Sequence, residues 1–215
     1  NIQSIVEKYL KQFNEEHKNE AREGLGSTNT GCIIMNPNNG EILAMASYPN
    51  FDLNSPKDIS AYYTEEQIQQ MQEEETYYDT LNKLWRNFCI SDTYEPGSTA
   101  KTLTMAAGLE TGKLVGNETY ECTGALDVAD RHIRCNVRSG HGVLDVSGAL
   151  EQSCDVALMK MGEAIGVKDM VKFQGIFNIG LKTNIDLAGE ARTASLVFNE
   201  ETMGQTELAT TSFGQ

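Results

Sequence analysis

The sequence predicts a mixed α/β fold, on three observations. Residues 31–47 hold two short apolar runs on either side of Pro37-Asn38-Asn39-Gly40, the pattern of an antiparallel hairpin. Several other segments repeat apolar residues at helical spacing. Between them, Pro96-Gly97 breaks the chain ahead of a run of small and apolar residues that opens at Ser98. With 215 residues the chain suits one domain, or one domain and a piece of another, and is long enough for a real core.

Composition removes several functions. The formal net charge is −14, with only 17 Lys and Arg. A nucleic-acid footprint or a patch for anionic lipid would be basic, so no nucleic-acid partner is expected. No apolar run approaches the ~20 residues of a membrane span. No signal peptide precedes Asn1, and the chain opens inside an amphipathic helix, so an upstream segment is expected. Five cysteines, an odd number, do not suggest a full disulfide framework.

In chain order, Ile2, Val6, Leu10 and Phe13 predict a helix from about Ile2 to Glu20. Ala21 to Thr30 is polar and Gly-rich, a loop. Strands follow at 31–36 and 41–47. Thr64 with Gln67 forms a capping box opening an acidic helix that runs to about Leu84, with Glu73-Glu74-Glu75 as a solvated face. The segment from Ser98 to Leu109 is a helix closed by Gly108 to Asn117. Short strand-like pieces lie at 126–128 and 132–135 in a region rich in Gly, Asp and Arg. Helices are predicted over 146–152, through about Ile165, and over 167–177. There is no internal repeat or low-complexity tract.

The chemistry concentrates in Tyr94-Glu95-Pro96-Gly97-Ser98-Thr99-Ala100-Lys101. Helical residues three apart share a face, so Ser98 and Lys101 stand side by side at a helix start. Serine becomes a nucleophile only when a base takes its proton, and a lysine serves when burial or a neighbouring cation disfavours its ammonium form. The apolar run behind Lys101 supplies burial, and helix N–H groups lie ready for an oxyanion. This is acyl-transfer chemistry in outline, and the plainer alternative is an N-cap serine followed by a solvated lysine.

Trp85-Arg86-Asn87, Asp92 and the run Glu95-Pro96-Gly97-Ser98-Thr99-Ala100-Lys101-Thr102 resemble the active-serine region of class B penicillin-binding proteins. The resemblance implies a transpeptidase domain: a helical lobe packed on an antiparallel sheet, like that of serine β-lactamases. Residues 1–215 would be part of such a domain. It also implies a peptidoglycan cross-linking D,D-transpeptidase, which forms a serine acyl-enzyme from D-Ala-D-Ala stem peptides and is a target of β-lactams. Ser153-Cys154-Asp155 falls where the family has its second motif, usually Ser-x-Asn. There Ser153 would relay protons between Lys101 and the leaving amine, and Asp155 would hold Lys101 and the substrate amide. An aspartate cannot donate as an amide does, and its charge would favour the ammonium form of Lys101. The third motif, Lys-Thr/Ser-Gly, is absent: Lys182-Thr183-Asn184 lacks the glycine. The strands carrying it are expected beyond Gln215, so the fragment alone should be a poor catalyst.

The family further implies a place on the extracytoplasmic face of the bacterial membrane, anchored by an upstream segment. A glycosyltransferase and cell-wall assembly proteins are the partners it suggests. Two rivals remain from the residues. A serine β-lactamase would need a water-activating base, and no residue can be assigned to that task. A β-lactam-sensing or scaffold domain would acylate once or never.

Cys122, His132, Cys135, His141 and Cys154 crowd one region, and thiolate with imidazole is zinc chemistry. The spacing is not that of a zinc finger. A buried cysteine pair, a Cys122–Cys135 disulfide and a surface His132 are the plainer readings of the same residues. Some transpeptidases of the resembled family hold zinc beside the active serine, and the matching positions are Cys122, Cys135, His141 and Cys154. Such a closed set has no open position, so Zn2+ would be structural.

Overall fold

The computed structural model describes every residue except Ala21, Arg22 and Leu25. Two compact units emerge: residues 1–93 with 186–191, and residues 94–185 with 192–215. Helices and antiparallel strands mix in both, as the sequence predicts. Among the described residues no helix is long and apolar enough to cross a membrane.

In the first unit, α1 (Ile2–Glu16) starts at Asn1, whose side chain accepts from the Ser4 amide. It ends a turn earlier than its periodicity suggests, before Asn19 in the left-handed region (φ 61°). Of the loop expected over 21–30, Ala21, Arg22 and Leu25 lie outside the described residues. Strands β1 (Thr30–Met35) and β2 (Ile42–Tyr48) pair antiparallel, Thr30 opposite Tyr48, with an irregularity at Ile34/Met35. Alternation turns Cys32, Ile34, Ala44 and Ala46 toward Val6 and Leu10 of α1.

The single acidic helix expected from Thr64 to Leu84 is two helices, α2 (Glu65–Glu73) and α3 (Tyr77–Trp85). The capping box at Thr64 and Gln67 forms as the sequence suggests. The break falls at Glu75, which is left-handed (φ 58°), and the Thr76 amide turns back to the Met71 carbonyl at 2.8 Å. Three consecutive glutamates repel one another, and the bend lets Leu81 and Leu84 reach Ile59. A short helix, α4 (Phe88–Ser91), capped by Asn87, had no periodic signal.

The second unit opens with a 3-10 turn, Gly97–Ala100, that runs into α5 (Lys101–Glu110). Four short strands follow: β3 (Thr119–Cys122), β4 (Ala125–Val128), β5 (Arg131–Arg134) and β6 (Gly142–Asp145). β3 pairs with β6 and β4 with β5, both antiparallel, so among the described residues the strands form three two-stranded sheets. Helices α6 (Val146–Glu151), α7 (Asp155–Ile165), α8 (Val167–Ile176) and α9 (Gln205–Ser212) complete the unit.

α7 is the axis of this unit because its sequence is apolar nearly all round. Val156, Ala157, Leu158, Met159 and Met161 are each at most 1% exposed. Full burial of one large apolar side chain contributes about 1.5–3 kcal/mol, so this helix anchors the core. Gly162 lets α9 approach: a Cβ there would lie 1.8 Å from the Ser212 hydroxyl oxygen. The Thr104 hydroxyl donates to the Ser212 carbonyl at 2.9 Å, which joins α5 to the same end of α9.

Candidate active site

The site is built where the 3-10 turn, the start of α5 and the start of α7 meet. Ser98 lies in the turn and Lys101 at its end, with the Lys101 amide bonded back to the Ser98 carbonyl. The turn is clamped from the far end of the chain. The Gly97 amide donates to the Gly214 carbonyl at 3.0 Å. Gly214 is left-handed (φ 94°), and a Cβ on it would lie 2.0 Å from the Gly97 carbonyl oxygen. Only glycine allows that approach.

Lys101 is 1% exposed, a lysine taken almost wholly out of water. Its ammonium has three donors and three oxygen acceptors: the Ser153 carbonyl at 2.8 Å, the Ser153 hydroxyl at 2.9 Å and Asp155 Oδ1 at 2.6 Å. Asp155 uses its other oxygen to accept from the Asn136 amide at 2.9 Å. Buried charge is tolerable when paired and fully hydrogen-bonded, and here it is both.

Ser153 makes this possible through its backbone. Its φ is 52°, a left-handed conformation that costs a non-glycine residue about 1–2 kcal/mol. That twist aims both its carbonyl and its hydroxyl at the Lys101 nitrogen. The hydroxyl then reaches Ser98 Oγ at 2.7 Å. Lys101 therefore connects to Ser98 through Ser153, forming the chain Lys101–Ser153–Ser98. Ser98, Lys101, Ser153 and Asp155 all converge, as the two motifs predict. The Asn136 amide and the Gly97–Gly214 clamp carried no sequence signal, since each depends on a long-range contact of ordinary residues.

Cys154, between the two polar residues of the second motif, points away from them. It caps α7, its sulfur accepting from the Ala157 amide at 3.4 Å. Its sulfur, those of Cys122 and Cys135 and a ring nitrogen of His141 all lie within 4.8 Å of one another. All five cysteines are free, so the Cys122–Cys135 disulfide left open by the pattern is not formed here. His132 stands apart, bonded to Asp127 at 2.6 Å. Burial raises the Cys122 thiol, but hydrogen bonds from the His141 side chain and backbone, the Gly124 backbone and the Cys154 side chain outweigh it and bring it down to about 7. Burial pushes Cys154 up to about 12, opposed by the Ala157 amide and helped by the Cys122 and Cys135 thiols.

With this geometry in hand, the penicillin binding protein transpeptidase domain matches residues 30–215. The chain belongs to the penicillin-binding protein transpeptidase family. It is 35% identical over 185 residues to Stage V sporulation protein D of Bacillus subtilis, covering 86% of this chain and 25% of that protein. It is 28% identical over 213 residues to the peptidoglycan D,D-transpeptidase FtsI of Buchnera aphidicola subsp. Schizaphis graminum, covering 99% and 32%. The chain thus spans about a quarter to a third of the length of these curated relatives. Among solved structures it is similar to the transpeptidase domain of penicillin-binding protein 3 from Burkholderia pseudomallei. The TM-score there is 0.72 at 20% identity, covering 99% of this chain and 50% of that one. That likeness establishes a transpeptidase fold.

Proposed function

We propose that this chain carries the acylating half of a peptidoglycan D,D-transpeptidase. The observation that bears most weight is the continuous chain from buried Lys101 through Ser153 to Ser98, at 2.9 and 2.7 Å. Lys101 acts as the base once its ammonium has passed a proton to Asp155, 2.6 Å away. Ser98 Oγ then attacks the carbonyl carbon of the D-Ala-D-Ala peptide bond, its proton passes to Ser153, and the Ser153 proton passes to the neutral Lys101 amine. The tetrahedral intermediate expels the terminal D-Ala amine, which leaves with a proton returned along the same path. An amine of a neighbouring stem peptide then attacks the Ser98 ester by the reverse sequence, forming the cross-link and freeing Ser98. A β-lactam acylates Ser98 by the same first step. Asp155, itself held by the Asn136 amide, keeps Lys101 in register, and by the family resemblance it would also hold the substrate amide.

In the full-length protein Ser98→Ala is expected to abolish labelling by a fluorescent penicillin, and Lys101→Ala to come close. Wild-type labelling of Ser98→Ala would sink the assignment. Sustained hydrolysis of the β-lactam, in place of one stable adduct, would point to a β-lactamase instead. By the same reading the protein works on the outer face of the bacterial membrane, anchored by a further segment, alongside a glycosyltransferase and cell-wall assembly proteins. Its process is building the wall during growth or division.

Cys122, Cys135, His141 and Cys154 fit a zinc ion in donor chemistry and placement. Three soft sulfurs and one imidazole nitrogen make a tetrahedral donor set, and small side-chain shifts bring atoms 4.8 Å apart to the spacing that ~2.0–2.3 Å bonds require. Bound zinc would supply structural cross-linking, with all four positions taken by protein. Cys154 would then fix the segment that carries Ser153 and Asp155.

A further inference from the structure

The β4–β5 hairpin and the loop after it wall an open cavity of about 460 Å3. Thr123, Gly124, Asp127, His132, Arg134 and Arg138 line it. None of them belongs to the Ser98 relay or to the four-ligand cluster.

The walls are fixed by backbone contact. A Cβ on Gly124 (φ 98°) would lie 2.0 Å from the Arg138 carbonyl oxygen, and one on Gly140 (φ 84°) 2.3 Å from that of Cys122. The Cys135 amide also donates to the Gly124 carbonyl at 2.8 Å. The two passes of chain sit closer than any side chain would permit, so the cavity is preformed.

Its charge is distinctive. Asp127 is engaged with His132 at 2.6 Å, both largely exposed at the rim. The side chains of Arg134 and Arg138 have no ion-pair or hydrogen-bond partner among the described residues. Arg134 and Arg138 are exposed and share the cavity with one carboxylate, Asp127, which His132 already engages. A guanidinium offers a planar fork of donors that matches a carboxylate.

We infer that this cavity binds a carboxylate-bearing side group of a peptide, with Arg134 and Arg138 as its anion-recognising residues. Asp127 disfavours a dianion such as phosphate, which would bring two charges beside its own. Arg134 stands two residues before Asn136, whose amide donates to Asp155 at 2.9 Å. A peptide held here would therefore engage the same loop that supports Lys101. That the ligand is a peptide rests on the acyl-transfer reading of Ser98.

The test is direct binding to the full-length protein, followed by fluorescence anisotropy. The probes are dye-labelled Ala-Glu-Ala amide, its Ala-Gln-Ala counterpart and inorganic phosphate. The Glu peptide is expected to bind at least about tenfold more tightly than the Gln peptide, the worth of one charge-assisted contact, and to weaken with salt. Arg134→Gln with Arg138→Gln should remove that preference, and Arg134→Lys with Arg138→Lys should recover part of it. Equal binding of the two peptides to the wild type, no saturable binding, or a preference unchanged in the double Gln variant would overturn the inference. Phosphate binding more tightly than the Glu peptide would overturn it too, in favour of a general anion site. Penicillin labelling of Ser98, read on the same samples, separates the two claims. Labelling retained beside lost peptide preference confirms that the Gln variant is folded and supports the cavity. Absent labelling of the wild type beside intact peptide preference would end the acyl-transfer reading and leave the carboxylate site standing.

Discussion

The two compact units each bury a polar side chain completely, and they satisfy it in opposite ways. In the first, Asn14 is 0% exposed and neutral. Its amide donates to the Leu10 carbonyl and the Thr30 hydroxyl, both at 3.0 Å, and its carbonyl accepts from the Ser27 amide and hydroxyl. In the second, Lys101 is as deeply buried but carries a charge, balanced by Asp155 and two oxygens of Ser153. A buried neutral amide ties α1 to its strand and can do little else. A lysine buried beside a carboxylate and joined by hydrogen bonds to a serine is costly to keep, and every group around it serves that placement. The first unit reads as scaffold, and the second holds the proposed relay.

Metal removal should separate the units most sharply. Structural zinc contributes ~10–16 kcal/mol in small peptides, and a preformed fold realises less. Zinc measured in purified protein is expected near one per chain and is expected to vanish in Cys154→Ser and His141→Ala. A strong chelator should then lower the melting transition of the second unit while amide exchange around Asn14 stays slow. Equal loosening of both units would break the contrast, and zinc-free wild-type protein would remove the cluster from the comparison.

Next in size is the charge pair. Asp155→Ala leaves Lys101 buried beside no carboxylate, and breaking such a pair costs about 3–5 kcal/mol. Asp155→Asn should cost less: an amide oxygen can still accept from Lys101, although its NH2 would then face the Asn136 N–H. Urea unfolding of the two variants decides this, and an Ala variant as stable as Asn would mean that Asp155 does not balance Lys101. Gly214→Ala comes third, at upwards of about 2 kcal/mol, because its left-handed backbone and its contact with Gly97 both resist a Cβ. It should also slow penicillin acylation, since it displaces the turn carrying Ser98. Unchanged acylation would show that the clamp is not needed for the reactive geometry.

Much of this was legible in the sequence because it is local. Ser98-x-x-Lys101 behind a Pro-Gly break and Ser153-Cys154-Asp155 ahead of an apolar helix name four residues that the fold does bring together. The cysteine and histidine positions likewise meet within 4.8 Å. What local pattern could not carry is the order of contacts. Side-by-side placement on a helix suggests that Lys101 touches Ser98, whereas the left-handed backbone of Ser153 inserts that residue between them. Nor could periodicity find the break at Glu75, where three like charges override a continuous helical pattern. β6 gave no signal because only Val143 and Leu144 stand between Gly142 and Asp145, and α9 because it is rich in threonine; tertiary packing decides both.

The smallest expected effect belongs to the scaffold and tests whether it is indifferent to charge only while its buried groups stay neutral. Tyr48, at the end of β2, is 7% exposed. Burial, then the neighbouring Tyr62 hydroxyl and the charge of Glu15, push its phenol up to about 12 from 10.0. The folded state thus holds the Tyr48 proton more tightly than the unfolded chain does. Between pH 10 and 12 the unfolded chain has lost that proton while the fold still keeps it, so stability must fall as pH rises. The contribution is fully present below pH 10 and is lost as pH climbs through that window. Allowing for solvent screening, its size is of the order of 1 kcal/mol. Tyr48→Phe keeps the ring against Tyr62 and has no proton to lose, so its stability should decline less from pH 9 to 11.5 than that of the wild type. Urea midpoints across that range provide the measurement, with a tyrosinate absorbance titration to follow the ionisation itself. Parallel declines in the two proteins would show that Tyr48 ionises without cost, and the neutral interior of the first unit would then no longer stand as the counterpart of Lys101.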